Sequence, residues 1–535
     1  MVELYQKFVL PCPHQKFHAN GKVDFAICTV FLALSTGIWH NRSNMKTSKT
    51  FLAADLGAGS GRVMAARYDG STLSLEAAHR FDNVPVSVGG HLHWNLLSLY
   101  AGVRDGIAAA LRDYGPAESV GVDTWGVDYG LIDGSGRLLG LPYAYRDVRN
   151  DGMADKVCAR LGRRRVYDRT GIQFIDFNTL FQLQAEADER DSLLGKASRL
   201  LFTPDLINYW LSGVAANEAT IASTGQCIDL ATRDWAYDLL EAVGAPRALF
   251  GEIVRPGTVL GTVTDGAGAG VLKVVAVGSH DTASAVAATP LPRIGAWGYL
   301  ATGTWALMGV EINDPILTDR AYELSYTHEG GVTGEFRFLK NITGMWIYQE
   351  LRREWKEAGD VISFDDLTAL AVKAAPFVSL IDPDAADFQK PGQMVEKIAA
   401  YCTRTGQPIP QDKGAFARCA LESMVLRYRE VWTQLEELTG VHRDGLNMIG
   451  GATRNALHCQ MTADALGIPV LCGPAEGAAA GNVLMQLLAA GEIKSLAEGR
   501  ELIARSDPPT EYQPDAAAAA RWDEAYARWL KIKAM

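Results

Sequence analysis

Residues 50–68 read TFLAADLGAGSGRVMAARY, and this stretch decides the fold class. Thr50–Asp55 is an apolar run of strand character, and it enters a glycine-rich turn, Leu56-Gly57-Ala58-Gly59-Ser60-Gly61-Arg62. Val63–Tyr68 then reads as a second strand. Asp69-Gly70 is a hairpin turn signal, and Thr72–Phe81 reads as a third strand. The glycine loop therefore joins strand to strand. A dinucleotide-binding loop joins strand to helix and reads GxGxxG, whereas this one reads GxGxG. A GxxxxGK[ST] phosphate loop is absent from the chain. Near the middle of the chain the pattern returns. Trp297–Leu300 is a strand, Ala301-Thr302-Gly303-Thr304 a tight polar turn, and Trp305–Glu311 a strand again. Pro290-Leu291-Pro292 lies between the copies, where proline interrupts helix and central strand alike. Two similar α/β halves, each opening on a phosphate-sized hairpin, suggest a nucleotide held in a cleft between two lobes. The expected division is an extension over 1–48, one domain over 49–290 and a second over 291–535.

Composition bounds the rest. The chain has 535 residues, 48% of them hydrophobic and 21% charged, which is globular composition. The formal charge of −11 argues against bulk nucleic acid or an anionic membrane as partner. It leaves room for a phosphate bound locally by backbone N–H groups. The eight cysteines form no CxxC pair and no zinc-finger spacing with histidine, so they read as buried, reduced thiols of a cytoplasmic protein. Phe25–Trp39 is apolar and uncharged but short for a membrane span, which needs about 20 residues. Met45 followed by KTSKT and a strong strand would look like an ordinary cytosolic start. The expectation is that 1–44 is a non-native or mis-assigned extension, with an anchor or signal, or a structural addition, as alternatives.

Other landmarks fit an α/β chain. Ser119–Asp123 and Val274–Val277 are short strands ending in polar residues. Ala415–Leu438 is a long helix, Asn447–Ile449 a strand, Gly450-Gly451 a turn and Arg454–Leu466 a helix. Residues 515–535 read as a terminal surface helix. Asp55 closes the first strand and could hold a Mg²⁺-bound water, since magnesium keeps several waters and takes few carboxylates directly. Gly57, Gly59, Ser60 and Gly61 could offer N–H groups to phosphate, and Arg62 could add charge. Thr304 is the matching position of the second hairpin. Asp281, in Ser279-His280-Asp281-Thr282, could accept a proton from a substrate hydroxyl, or simply cap the helix that follows. Gly121–Tyr129 sets two carboxylates, Trp125 and a glycine at a strand end, a set suited to a sugar, although Trp125 could equally be core. Gly450-Gly451 would allow the close approach an adenosine needs, or be an ordinary corner. His91 and His93 lack a third metal ligand.

Together these segments resemble the FGGY family of carbohydrate kinases, and within it the rhamnulokinase group. The likeness covers roughly 50–515 and rests on ADLGAGSGRVMAARY, GVDTWGVDYGLID, LPYAYRDVR, GIQFIDFNTLFQL, TPDLINYWLSG, SHDTASAV, LATGTWALMG, HEGG, LKNITGMWIYQE and ADALGIPV. The resemblance implies the two-lobed actin/hexokinase-like fold, with duplicated ribonuclease H-like domains and an inter-lobe cleft. It implies Asp281 as catalytic base, with His280, Gly126 and Trp125 at the sugar. Ala58, Gly59, Ser60, Gly61, Arg62, Thr304, Asn341, Gln349 and Gly451 would line the ATP site; local pattern alone would not have selected Asn341 or Gln349. The implied reaction is transfer from Mg-ATP to L-rhamnulose in the cytoplasm, giving the 1-phosphate, by a monomer or homodimer. A kinase for L-fuculose or L-ribulose and an actin- or chaperone-like ATPase are the alternatives. Two departures stand out: the extension 1–44, and Ala452 where related chains often carry a third glycine. A methyl at 452 is expected to crowd the nucleotide slightly without preventing ATP binding.

Overall fold

The computed structural model describes residues 48–290 and 296–535. Apart from Ser48, the expected extension lies outside the described residues, as do Leu291 and Pro292 of the expected boundary. In the first half, β1 (Lys49–Leu56), β2 (Ser60–Tyr68) and β3 (Leu73–Asp82) form an antiparallel meander. α1 (Leu96–Tyr114) leads to β4 (Ser119–Thr124), which returns parallel to β1. β5 (Thr258–Thr262) and β6 (Lys273–Ala276) complete a six-stranded sheet of order β5-β6-β4-β1-β2-β3. α2 (Asp281–Ala287) follows β6.

The second half repeats the plan. β7 (Trp297–Thr302) and β8 (Trp305–Ile312) form the second hairpin, and β9 (Thr327–Gly330) and β10 (Phe336–Thr343) extend it antiparallel. The long helix α3 (Lys413–Thr439) starts on the Asp412 side chain, which accepts from Ala415 N, and ends at Gly440 with φ 65°. β11 (Gly445–Ile449) and β12 (Val470–Cys472) run parallel to β7 on its other side. After α4 (Gly477–Ala489), β13 (Thr510–Tyr512) closes a seven-stranded sheet of order β9-β10-β8-β7-β11-β12-β13.

The apolar run of β1 is explained by cover on both faces, as a central strand between helix layers requires. Phe51, Leu52, Ala53 and Ala54 are all fully buried. Leu52, Ala54 and Leu56 pack with Val103 and Ile107 of α1. The alternate residues Phe51 and Ala53 pack with Ala283 and Ala287 of α2 and Val483 of α4. Small residues set how closely these layers approach. A Cβ on Gly106 would stand 2.4 Å from Val63. Between the sheets α2 and α4 cross almost backbone to backbone, since a Cβ on Gly481 would lie 1.7 Å from the Ser284 carbonyl oxygen. Their other faces, through Ala285, Val286 and Ala478, meet Tyr299, Ala301 and Ile449 of the second sheet. Thus α4, from the second half of the sequence, covers the first sheet.

The terminal helix Ala516–Lys533 is the expected surface helix, held down by a buried stripe of Ala518, Trp522, Ala525, Trp529 and Ile532 at helical spacing, and the Trp529 indole donates to the Ile381 carbonyl at 2.7 Å. One expectation shifts. The helix expected over 454–466 begins at Ala456, after a short turn over Gly451–Arg454. The six cysteines among the described residues are free and buried.

Candidate active site

The two hairpins face one cavity of about 620 Å³ between the sheets. Asp55, Ala58, Gly59, Ser60, Arg62, Trp125, Gly126, His280, Asp281, Thr304, Asn341, Gln349 and Gly451 all line it. Gly61 does not. A Cβ there would sit 2.4 Å from the Phe81 ring, so Gly61 is a packing glycine beneath the loop. Gly57 also departs from the sequence reading, because its N–H already donates to Ser60 O at 2.9 Å within the turn.

Asp55 and Arg62 are partners across the first hairpin. Arg62 Nε and Nη2 both donate to Asp55 Oδ2, at 3.0 and 2.6 Å, and Nη1 meets Glu476 at the start of α4. The guanidinium expected to add charge for phosphate is therefore shared between two carboxylates. In the parallel register Asp55 stands beside Asp123. Asp123 is fully buried; its Oδ2 accepts from Asn482 Nδ2 of α4 at 2.6 Å, and Oδ1 has no partner. Burial raises the Asp123 carboxyl well above its ordinary value, and the neighbouring Asp55 and Asp281 add to the rise.

The loop after β6 is held from below. Glu218 is fully buried and accepts from Thr220 N and Oγ1, Ile221 N and Ser279 N. Thr220 Oγ1 in turn accepts from His280 N at 3.2 Å. The N-cap position of α2 belongs to His280, which leaves the Asp281 carboxyl facing the cavity, its side chain 31% exposed. Thr282 Oγ1 donates to Asp281 Oδ1 at 3.1 Å, and His280 Nε2 lies 3.5 Å from the same oxygen. Burial raises the Asp281 carboxyl above its ordinary value; His280 opposes that and Asp55 adds to it.

The Trp125–Asp128 corner forms the other wall. Asp128 is buried, and its Oδ2 accepts from the indoles of Trp94 and Trp125 at 2.5 and 2.9 Å and from Tyr145 N at 3.2 Å. Gln182 Nε2 donates to its Oδ1 at 3.0 Å. Burial pushes this carboxyl up to about 6. Val127 has φ 67°, a left-handed conformation that strains a β-branched residue. Thr224 Oγ1, accepting from Val127 N, and Thr179 Oγ1, donating to Val127 O, hold it there. Trp125 is thus neither plain core nor free: its ring lines the cavity while its N–H is anchored.

At the other end, Thr304 Oγ1 donates to Gln349 Oε1 at 3.3 Å. Asn341 comes from β10 and Gln349 from the helix Trp346–Glu357. Gly450 has φ 97°, and a Cβ on it would meet Thr302 O at 2.4 Å, so glycine is required where β11 abuts the second hairpin. Gly451 has open space around it. Ala452 is buried in the second core and lies off the cavity wall, so its methyl does not crowd the cavity, contrary to expectation. Sequence reasoning missed Glu218, Glu329 and Arg337. Glu329 lies in the HEGG segment, the only signal that could have pointed to it. His91 pairs with Asp147 at 3.0 Å, and no cluster of three His, Cys, Asp or Glu side chains placed to hold a metal occurs among the described residues.

Comparison with known proteins fits this geometry. The N-terminal and C-terminal domain models of the FGGY family of carbohydrate kinases match residues 50–288 and 298–490. The chain belongs to the FGGY family of carbohydrate kinases. It is 43% identical over 483 residues to the rhamnulokinase of Bacteroides thetaiotaomicron, covering 89% of this chain and 98% of that one. It is 40% identical to the rhamnulokinase of Mannheimia succiniciproducens, covering 90% and 98%. Among solved structures the fold matches gluconate kinase from Lactobacillus acidophilus with TM-score 0.74 at 14% identity, covering 91% of this chain and 98% of that one. Plasmodium falciparum glycerol kinase with ADP matches with TM-score 0.72 at 13% identity, covering 91% and 99%. As an FGGY kinase the chain is an ATP-dependent phosphotransferase acting on a carbohydrate, and the ATPase alternative falls away. No helix among the described residues is long and apolar enough to cross a membrane.

Proposed function

We propose that this FGGY kinase transfers the γ-phosphoryl group of ATP to the C1 hydroxyl of L-rhamnulose in the cytoplasm, with Asp281 as general base. The substrate choice rests on relatives named rhamnulokinase, 40–43% identical over nearly their whole length. The observation that carries the chemistry is the Asp281 carboxyl, free of a capping role and facing the cavity beside His280, between the two hairpins. A carboxyl raised by burial is a better proton acceptor than a solvated one. Trp125, Gly126 and His280 form the sugar end. Ala58, Gly59, Ser60, Thr304, Asn341, Gln349 and Gly451 form the nucleotide end.

Magnesium fits the residues present. Asp55 and Asp281 both line the cavity, with Arg62 and His280 as their cationic or donor neighbours, so two carboxylates face the space where a cation would sit. Asp55 would hold the ion through a bound water. When bound with ATP it would supply neutralisation of the phosphate oxygens. The chain's own residues do the remainder: the hairpins position the triphosphate, the Trp125 wall orients the sugar, and Asp281 Oδ takes the proton of the attacking hydroxyl.

The test is ADP release from Mg-ATP with L-rhamnulose, L-fuculose, L-ribulose, D-xylulose, glycerol and a no-sugar blank. Turnover is expected to be fastest with L-rhamnulose. A faster rate with another ketose would overturn the substrate and keep the mechanism. Turnover indifferent to sugar would overturn the base assignment as well.

A further inference from the structure

His280 is held by two groups from the opposite half of the molecule. Arg337, on β10, is completely buried. Its Nη2 donates to Glu329 Oε2 of β9 at 2.9 Å and lies 3.0 Å from His280 Nδ1. Its Nε donates to Gly330 O at 3.0 Å. A guanidinium has donors only and stands nearer to Nδ1 than Glu329 Oε2 does, 3.0 against 3.2 Å, so we read this ring nitrogen as presenting its lone pair to Arg337. The 3.2 Å approach of Glu329 Oε2 to the same Nδ1 is then the contact of two acceptors sharing one donor nitrogen, which has a hydrogen for each. With Nδ1 as acceptor, the neutral ring carries its proton on Nε2, the nitrogen 3.5 Å from Asp281 Oδ1.

We propose that Arg337 and Glu329 are positioning residues for the phosphoryl transfer: they lock His280 in the neutral Nε2–H tautomer, so that the ring donates into the cleft toward Asp281 and the substrate oxygen beside it. The inference rests on the role proposed above for Asp281. The ring's donation favours the ionised carboxylate, the form that accepts a proton. The opposite tautomer would turn a lone pair toward Asp281 and repel it. Glu329 has a separate task. Burial alone would raise its carboxyl, but Arg337 and His280 together outweigh burial and hold it below the ordinary value, so the buried guanidinium is neutralised by a carboxylate.

The direct test is NMR of the full-length enzyme labelled with ¹⁵N-histidine. The His280 signals are assigned by their loss in His280→Gln. At neutral pH the expected pattern is a protonated Nε2 and a bare Nδ1. A protonated Nδ1, alone or together with Nε2, overturns the proposal. The paired variant Glu329→Met/Arg337→Met tests the consequence, because replacing both members of a buried ion pair by apolar residues of similar volume is tolerated far better than removing one. Its kcat for sugar phosphorylation is expected to fall about 10- to 100-fold, the scale of a hydrogen bond to a charged group, with KM for Mg-ATP within about twofold. Unchanged kcat would refute the positioning role, and a variant that fails to fold leaves the wild-type NMR result to decide. If the wild type phosphorylates no sugar, the functional reading fails, while the resonance pattern still reports on the tautomer.

Discussion

Asp128→Asn removes one buried charge and changes little else. In the parent, the Asp128 carboxyl titrates at about 6 in the folded protein, against an ordinary 3.8. A carboxyl raised by folding binds its proton more tightly in the native state. Its contribution is fully present below the unfolded value and is lost as pH climbs through the folded one. The window is therefore about pH 4 to 6. Integrating the two titrations between pH 4.5 and 7.5 gives a loss of about 2 kcal/mol in the parent that asparagine cannot show. The amide oxygen can still accept from both indoles. The amide nitrogen, however, would face Gln182 Nε2, which now donates to Oδ1. That mismatch costs about 1 kcal/mol, is independent of pH, and cancels when the two proteins are compared at both pH values. For a chain of this size, about 2 kcal/mol corresponds to about 2 °C in Tm. The assay is scanning calorimetry of parent and Asp128→Asn at pH 4.5 and 7.5. The variant's Tm should gain about 2 °C on the parent's between the lower and the higher pH. Parallel pH dependence of the two melting temperatures would refute the assignment of a raised, ionising carboxyl at this position.

Asp281→Asn should fold and bind sugar but lose about 10²-fold or more in kcat, and near-normal turnover would remove Asp281 from the mechanism. In the wild type, the acid limb of kcat/KM should fall off at a pH above 3.8, because burial and Asp55 raise the Asp281 carboxyl and the base acts only when ionised; a midpoint at or below 3.8 would contradict this. Glu218→Gln keeps one oxygen for Ser279 N, Ile221 N and Thr220 Oγ1 and turns an amide nitrogen, which cannot accept, toward Thr220 N. It should lower kcat about tenfold and stability by about 1–3 kcal/mol, read by steady-state kinetics and thermal melting; loss of stability without loss of kcat would separate the loop from catalysis. Gly450→Ala forces a Cβ to 2.4 Å from Thr302 O at φ 97°, and should raise KM for ATP about tenfold with a smaller effect on the sugar. An unchanged KM would place the nucleotide elsewhere.

The two hairpins were legible because their signal is local. Apolar strand, small-residue turn and strand lie within twenty residues, and the absence of a helix after the glycines excluded the competing loop. Asp55, Asp281 and Thr304 followed as polar residues at strand ends, and the family likeness supplied Asn341 and Gln349, whose local patterns say nothing. Arg62 was legible as a cation but not as a paired one, because Glu476 is brought to it only by α4. Val127 could not have been read at all, since a β-branched residue argues against a positive φ; only the hydrogen bonds from Thr179 and Thr224 explain its tolerance. Asp123 and Asp128 share one motif and look interchangeable in sequence, yet Asp128 is satisfied by four donors and Asp123 keeps a bare oxygen beside Asp55.

That last difference traces back to glycine. Gly481 lets α4 cross α2 at backbone contact, and one residue further on Asn482 reaches Asp123 while Gln486, a turn later, bonds Ser119 Oγ and Leu52 O. A helix from the second half of the sequence thereby completes the polar floor beneath the carboxylates of the first. Rotation of one sheet against the other would have to be taken up around this crossing. Bulk at position 481 would strike Ser284 of α2 and push α4, with Asn482, away from Asp123. The small residues where α2 and α4 cross are what allow the two halves to share one site.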